Sequence, residues 1–128
     1  MSDAKTNFAE ALVLQWLLTS LPTTRPSSLY VALHTGDPSE NGNQDEVSAE
    51  GYARREINFS VALQTATNSG VVTFGPAQEN WGTISHFSIW DAETGGNPYY
   101  KGELSNSRVV LTGDRVTFDI GALSISET

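Results

Sequence analysis

The chain has 128 residues, enough for one domain with its own core, and carries 15 acidic against 7 basic side chains, a net charge of −8. That balance leaves no basic face to displace counterions from phosphates and disfavours an anionic bilayer, so neither nucleic acid nor a membrane is an expected partner. The absence of cysteine excludes disulfides, thiol nucleophiles and Cys-ligated zinc, and the fold needs no oxidising compartment.

The first segment, "MSDAKTNFAEALVLQWLLTSLP", superficially looks like a signal peptide. Asp3 and Glu10 stand where a basic region is required, and no small-residue cleavage site follows. The longest apolar run, "ALVLQWLL" at 11–18, is interrupted by Gln15 and is too short to span a bilayer. The segment therefore reads as a mature helix, over about 6–21, in a protein made and used without export. Asn7 followed by Glu10 suggests an N-cap with an N3 carboxylate. Phe8, Leu12 and Trp16 fall on one stripe; Leu14, Leu17, Leu18 and Leu21 fall on another. A helix apolar on both stripes is either clamped into its own domain or packed on another subunit. Pro22 ends it.

Strand patterns follow. "SLYVALHT" at 28–35 alternates, with Leu29, Val31 and Leu33 on one side and Tyr30, Ala32 and His34 on the other. A polar loop is expected over 36–51, opened by the turn Gly36-Asp37-Pro38. "YARREINFSVAL" at 52–63 reads as one strand and "GVVTFGP" at 70–76 as another. "GTISHFSIWDA" at 82–92 reads as a mostly buried strand, with either His86 or Phe87 facing inward beside Ile84, Ile89 and Trp90. "ETGGN" at 93–97 is a turn, "PYYKGEL" at 98–104 a returning strand, and 107–127 holds two more segments around Gly113-Asp114. Seven or so short strands without intervening helices exclude a parallel α/β architecture. The expected fold is mainly all-β: a single antiparallel β-sandwich or jelly-roll-like domain covering 1–128, with one N-terminal helix and strands over about 28–127.

Candidate chemistry is sparse. From Asp37 the loop begins in EF-hand order, with side-chain oxygens at Ser39, Asn41 and Asp45 and the turn glycine at Gly42, but Ser48 stands where the bidentate Glu belongs, and a strand rather than a helix precedes it. A solvated acidic loop is the expected reading, with no metal. His34 and His86 are the available bases, yet no nucleophile elbow accompanies them. Asp91 with Glu79 or Glu93 gives no spacing that argues for a glycosidase pair. No catalytic, cofactor-binding or metal-ligating residue is assigned, and His34, Asp37 and His86 are read as structural. Aromatic residues carry the remaining expectations. Trp90, inside a strand, belongs to the core. Trp81, in the polar turn "QENWGT", is a candidate interface anchor, as are Tyr99 and Tyr100.

The order "LYVALHTGDPSENG", "EVSAEGYARREINFS", "NSGVVTFGPAQENWGTISHFSIWDAETGGNPYYKGEL" and "GDRVTFDIGALSIS" resembles a group of short bacteriophage virion proteins, described as structural or tail-fibre-like, over roughly 7–125. Glu50, where small residues are common in that group, and Asn58, in place of Thr, are departures that touch no catalytic role. The resemblance implies a non-enzymatic virion component, assembled in the host cytoplasm, whose partners are other virion proteins: the major capsid protein or tail proteins. Capsid decoration is the favoured expectation, with the chain as a closed homo-oligomer, a trimer. Trp16 and Leu17 would be buried between subunits and Trp81 would rest against the capsid. The alternative is a tail, fibre or baseplate part that attaches to a host surface, with Trp81, Tyr99 or Tyr100 stacking on a glycan.

Overall fold

The computed structural model describes residues 4–127; Met1–Asp3 and Thr128, within the expected domain bounds, lie outside the described residues. A two-residue strand β1 (Ala4–Lys5) precedes helix α1 (Asn7–Leu18), and nine further strands follow. Every strand pairing is antiparallel.

The helix is shorter than its apolar pattern, and its cap is one residue earlier than expected. Thr6, not Asn7, is the N-cap: its Oγ1 accepts the Ala9 N–H at 3.2 Å and donates to the Pro98 carbonyl at 2.6 Å. Glu10 thus sits one position past N3 and forms no capping box, though its charge still suits the helix N-terminus. At the other end Thr19 turns extended (ψ 173°), and its hydroxyl donates to the Gln15 carbonyl at 2.6 Å. The helix stops there, before Leu21.

The main sheet has the order β1-β8-β7-β2-β3. Its centre is the hairpin of β7 (Gly82–Trp90) and β8 (Pro98–Val110), closed by the turn at 93–97. The Asp91 carboxylate accepts the Asn97 N–H at 2.8 Å across that turn, and Gly96, at φ 79°, lies against the same carboxylate, where a Cβ would collide. β2 (Leu29–His34) pairs with β7, and β3 (Arg55–Ile57) forms the edge. The register shift between Ile84 and His86 is a bulge, which turns both Ile84 and Phe87 toward the core. This settles the choice between His86 and Phe87.

Two smaller sheets face the main one. In one, β4 (Phe59–Ala62), β5 (Thr65–Asn68) and β10 (Ser124–Ser126) run in the order β10-β5-β4; in the other, β6 (Val72–Phe74) pairs with β9 (Val116–Phe118). The segment 52–63 is therefore not one strand. It changes sheets at Asn58, and the Thr-rich β5, too polar to read as a strand, returns beside β4. The opposite adjustment occurs in β8, where the expected strands at 98–104 and from 107 are one continuous element. The core lies between the layers: Val31, Leu33, Ile57, Phe87 and Ile89 meet Val72, Phe74, Val116, Phe118 and Ile125. The architecture is a sandwich-like antiparallel β domain with one helix.

Trp81 belongs to this core. It is 5% exposed, its ring meets Tyr52 edge-on at 5.6 Å, and its Nε1–H donates to the Glu50 carbonyl at 3.1 Å. The polar turn around it is pulled inward because Trp81 N–H also donates to the Val110 carbonyl. The expected placement of Trp81 against a capsid, or on a glycan, gives way to a packing role. Trp81→Ala is predicted to lower unfolding stability by about 3–5 kcal/mol, the range for emptying a large aromatic site. Urea titration checks this; a loss below about 1 kcal/mol would contradict it.

Candidate functional site

Two regions concentrate the polar and aromatic residues singled out above: the back of the main sheet, and α1 with the groove beneath it.

On the sheet face away from the core, β2 and β7 place His34, Ser88 and Trp90 side by side, all buried. The loop at 35–51 folds back over them, with Asp37, Glu40 and Asp45 exposed on its outer side. Thr35 N–H donates to the Asp45 carbonyl, Val47 N–H donates to the Leu33 carbonyl, and His34 and Glu46 form an isolated bridge. The loop is polar in sequence because it satisfies the sheet's polar back. His34 Nδ1 lies 2.6 Å from the Gln44 carbonyl, which can only accept, so Nδ1 carries the proton. Nε2 then accepts from the Ser88 hydroxyl at 2.7 Å, and Ser88 Oγ accepts the Trp90 indole N–H at 2.6 Å. Both ring nitrogens are occupied and the ring is fully enclosed. Burial lowers the pKa of His34, outweighing the opposing pull of the Gln44 carbonyl and Glu46.

Arg54 closes the same face. Its guanidinium grips Glu46 through Nε and Nη2, both at 2.9 Å, and donates from Nη1 to the carbonyls of Ala92 at 3.0 Å and Gly95 at 2.8 Å. It also stacks 3.8 Å above the centre of the Trp90 ring. Burial alone would raise the Glu46 pKa, but hydrogen bonds from Arg54 and Tyr52 bring it below the usual carboxylate range. The Tyr52 hydroxyl donates to Glu46 at 2.7 Å and accepts the Leu33 N–H at 3.1 Å, and burial pushes its pKa up. Arg54 and Ser88 were not singled out by sequence. The one available signal is Arg54 inside "GYAR", a motif that by itself says nothing of a stacking partner 36 positions away.

The calcium-like opening of the loop is organised around an internal cation. Asp37 Oδ1 accepts the Ser39 N–H at 2.8 Å and the ammonium of buried Lys101 at 3.0 Å. The Ser39 N–H and then Lys101 hold its pKa below the usual value. Among the described residues no cluster of three His, Asp or Glu side chains has metal-binding geometry. His86, also separate from the Arg54 network, meets Ser85 Oγ through Nδ1 at 2.7 Å.

α1 is bound at its beginning and uncovered beyond. Thr6 and Ala9 are buried, and Asn7 N–H donates to the Glu40 carbonyl of the folded loop. Phe8 meets Tyr99 edge-on at 5.3 Å, and Leu12, Val13 and Trp16 overhang a groove floored by Tyr99 and Tyr100. Tyr100 donates to Glu127 at 2.6 Å, Glu127 in turn pairing with Lys5 at 2.5 Å. Both tyrosines are half-buried. Trp16 and Leu17 are each 62% exposed, Leu14 is 58% and Leu18 is 74%. The structure thus separates the five aromatic and leucine candidates: Trp16, Tyr99 and Tyr100 line one groove, Leu17 lies on the outward side of the helix, and Trp81 is inside the core.

A family model described as podophage GP4 fiber I protein gp80 matches residues 4–126. The chain belongs to that family. It is therefore a bacteriophage structural protein of the virion. His34, Tyr52, Arg54 and Trp90 converge on one buried network. A search of curated proteins finds no match to the chain.

This network makes stability acid-sensitive. The unfolded chain binds a proton at His34 near pH 6.5, whereas the folded pKa is lower, so His34's contribution is complete above that pH and is lost as the pH falls below it. The slope is predicted to reach about 1.4 kcal/mol per pH unit for that proton. Glu46 and Asp37, both depressed on folding, add losses at pH values below their ordinary 4.5 and 3.8. Urea midpoints across this range check the prediction. His34→Gln is expected to be less stable yet flat near pH 6; an unchanged slope in that variant would remove His34 as the cause.

Proposed function

We propose that this protein is a non-enzymatic building block of a podophage fibre, assembled in the host cytoplasm and held in the particle by protein contacts. The observation that carries this reading is the uncovered leucine and tryptophan surface of α1 on a domain whose own core is already closed. A residue set with both His34 nitrogens occupied and Arg54 fully engaged is suited to holding a shape rather than turning over a substrate. The family's description as a fibre protein favours a fibre over the capsid-decorating role expected from the sequence. Trp81, the expected point of capsid contact, is enclosed in the core.

Location and copy number in purified virions test this. A fibre component should appear at fibre positions in a few to a few tens of copies, whereas hundreds of copies spread over the head would reject the fibre reading in favour of decoration. Trp16→Ala is expected to lower incorporation by about tenfold or more, corresponding to ~1.4 kcal/mol at an aromatic anchor. Quantitative blotting of virions against a head protein measures it; full incorporation would exclude the Trp16 end of α1 as a contact.

A further inference from the structure

We propose that the outward face of α1 packs against the same face of α1 in another copy of this chain, joining the copies in a closed symmetric oligomer. The proposal rests on the building-block reading above and adds the partner and the seam. Ala11, Leu14 and Leu18 recur at intervals of three and four, the alternation that puts apolar side chains along one line of two mutually packed helices, and Leu21 follows just past the end of α1. This line lies opposite Ala9, the buried anchor of α1, so the helix's own domain does not cover it. Leu17 flanks the line, whereas Trp16, two turns on from Ala9, lies on the groove side of the helix.

Three properties point to a second copy rather than another partner. The spacing is that of a helix–helix seam, and a seam made of Ala and Leu alone is complementary to itself. Leu14, Leu17, Leu18 and, just past the helix, Leu21 are 58–74% exposed. Together they present roughly 400–500 Å² of apolar surface, in the range of a monomer's largest, often functional, patch and about half of the ~800 Å² each partner gives to a stable interface. Finally, residues 11–24 contain no charged side chain, although the chain has a net charge of −8. Two acidic copies repel through most of their surfaces, and an uncharged face lets them approach at least cost. A basic partner would instead be drawn to the acidic faces. Closed rotational symmetry brings identical faces together around an axis without leaving an open end.

The test uses the full chain and two variant pairs, Leu14→Glu/Leu18→Glu and Leu14→Lys/Leu18→Lys. Both positions are exposed, so the variants should keep the parent circular dichroism spectrum and urea midpoint. Sedimentation equilibrium of the parent should give a dimer or trimer. Each variant alone should associate at least about a hundredfold more weakly, a tenfold loss for each leucine. Mixing the Glu and Lys variants should restore association, because opposite charges meet only if α1 faces α1. A monomeric parent at ~100 µM, where even a Kd at the weak end of specific association would show, overturns the proposal. So does an oligomer indifferent to the substitutions, or a failure of the mixture to reassociate. A monomeric parent that still occupies fibre positions in virions would defeat this inference while leaving the fibre reading intact.

Discussion

The arrangement depends most on the Arg54 guanidinium. One side chain from the approach to β3 holds the carboxylate of the 35–51 loop, two carbonyls of the 92–95 turn and the face of Trp90. Only a planar, permanently charged fork can meet a carboxylate in parallel, donate sideways to carbonyls and stack on an indole at once; a lysine ammonium offers no plane. Arg54 is itself 8% exposed, so its charge relies on these partners in place of water. Removing one member of such a pair usually costs ~3–5 kcal/mol, because the other charge is left buried and unmatched.

From this grip follows the order of the loop, and from the loop follows the placement of the helix. With Glu46 held, Val47 pairs with β2 and Gln44 presents its carbonyl to His34. The loop's earlier half then brings the Glu40 carbonyl to Asn7 N–H and sets Gly42, at φ 75°, against Thr6 and Pro98, where any Cβ would collide. Thr6 is thereby enclosed and caps α1. The helix is fixed at its first turn and runs outward from there, which is why Thr6 and Ala9 are buried and its later leucines are bare. The buried network thus determines which surface the protein offers to others.

The sandwich is layered by polarity as well as by strands. Its core side is aromatic and aliphatic, with Phe74 meeting Phe118 edge-on and Tyr52 lying parallel to Phe74. Its back is a hydrogen-bonded polar layer. Tyr52 joins the two, its ring in the apolar cluster and its hydroxyl on Glu46. Such a layer is stable only when every buried donor and acceptor is paired, and His34 meets that requirement as a neutral ring with one donor and one acceptor.

Much of this was legible in the chain itself. Alternation announced β2 and the main hairpin, the glycine-rich 93–97 stretch announced its turn, and the two leucine and aromatic stripes announced a helix with more apolar surface than one face uses. These features are local: side-chain direction repeats every two or 3.6 residues, and turn chemistry acts within a few positions. What tertiary structure alone decided lies beyond that range. Thr6 displaced Asn7 as the cap because Pro98 and Tyr99 carbonyls were waiting for it. Trp81 went inward because Glu50 and Val110 took its two N–H groups. The acidic loop became a cover because Arg54, on the approach to β3, and Lys101, on β8, took the carboxylates of Glu46 and Asp37. The sequence by itself determined which segments were apolar, extended or helical. Partners far apart along the chain decided which polar residues were buried and which apolar ones remained outside, since those choices follow contacts that no local period encodes.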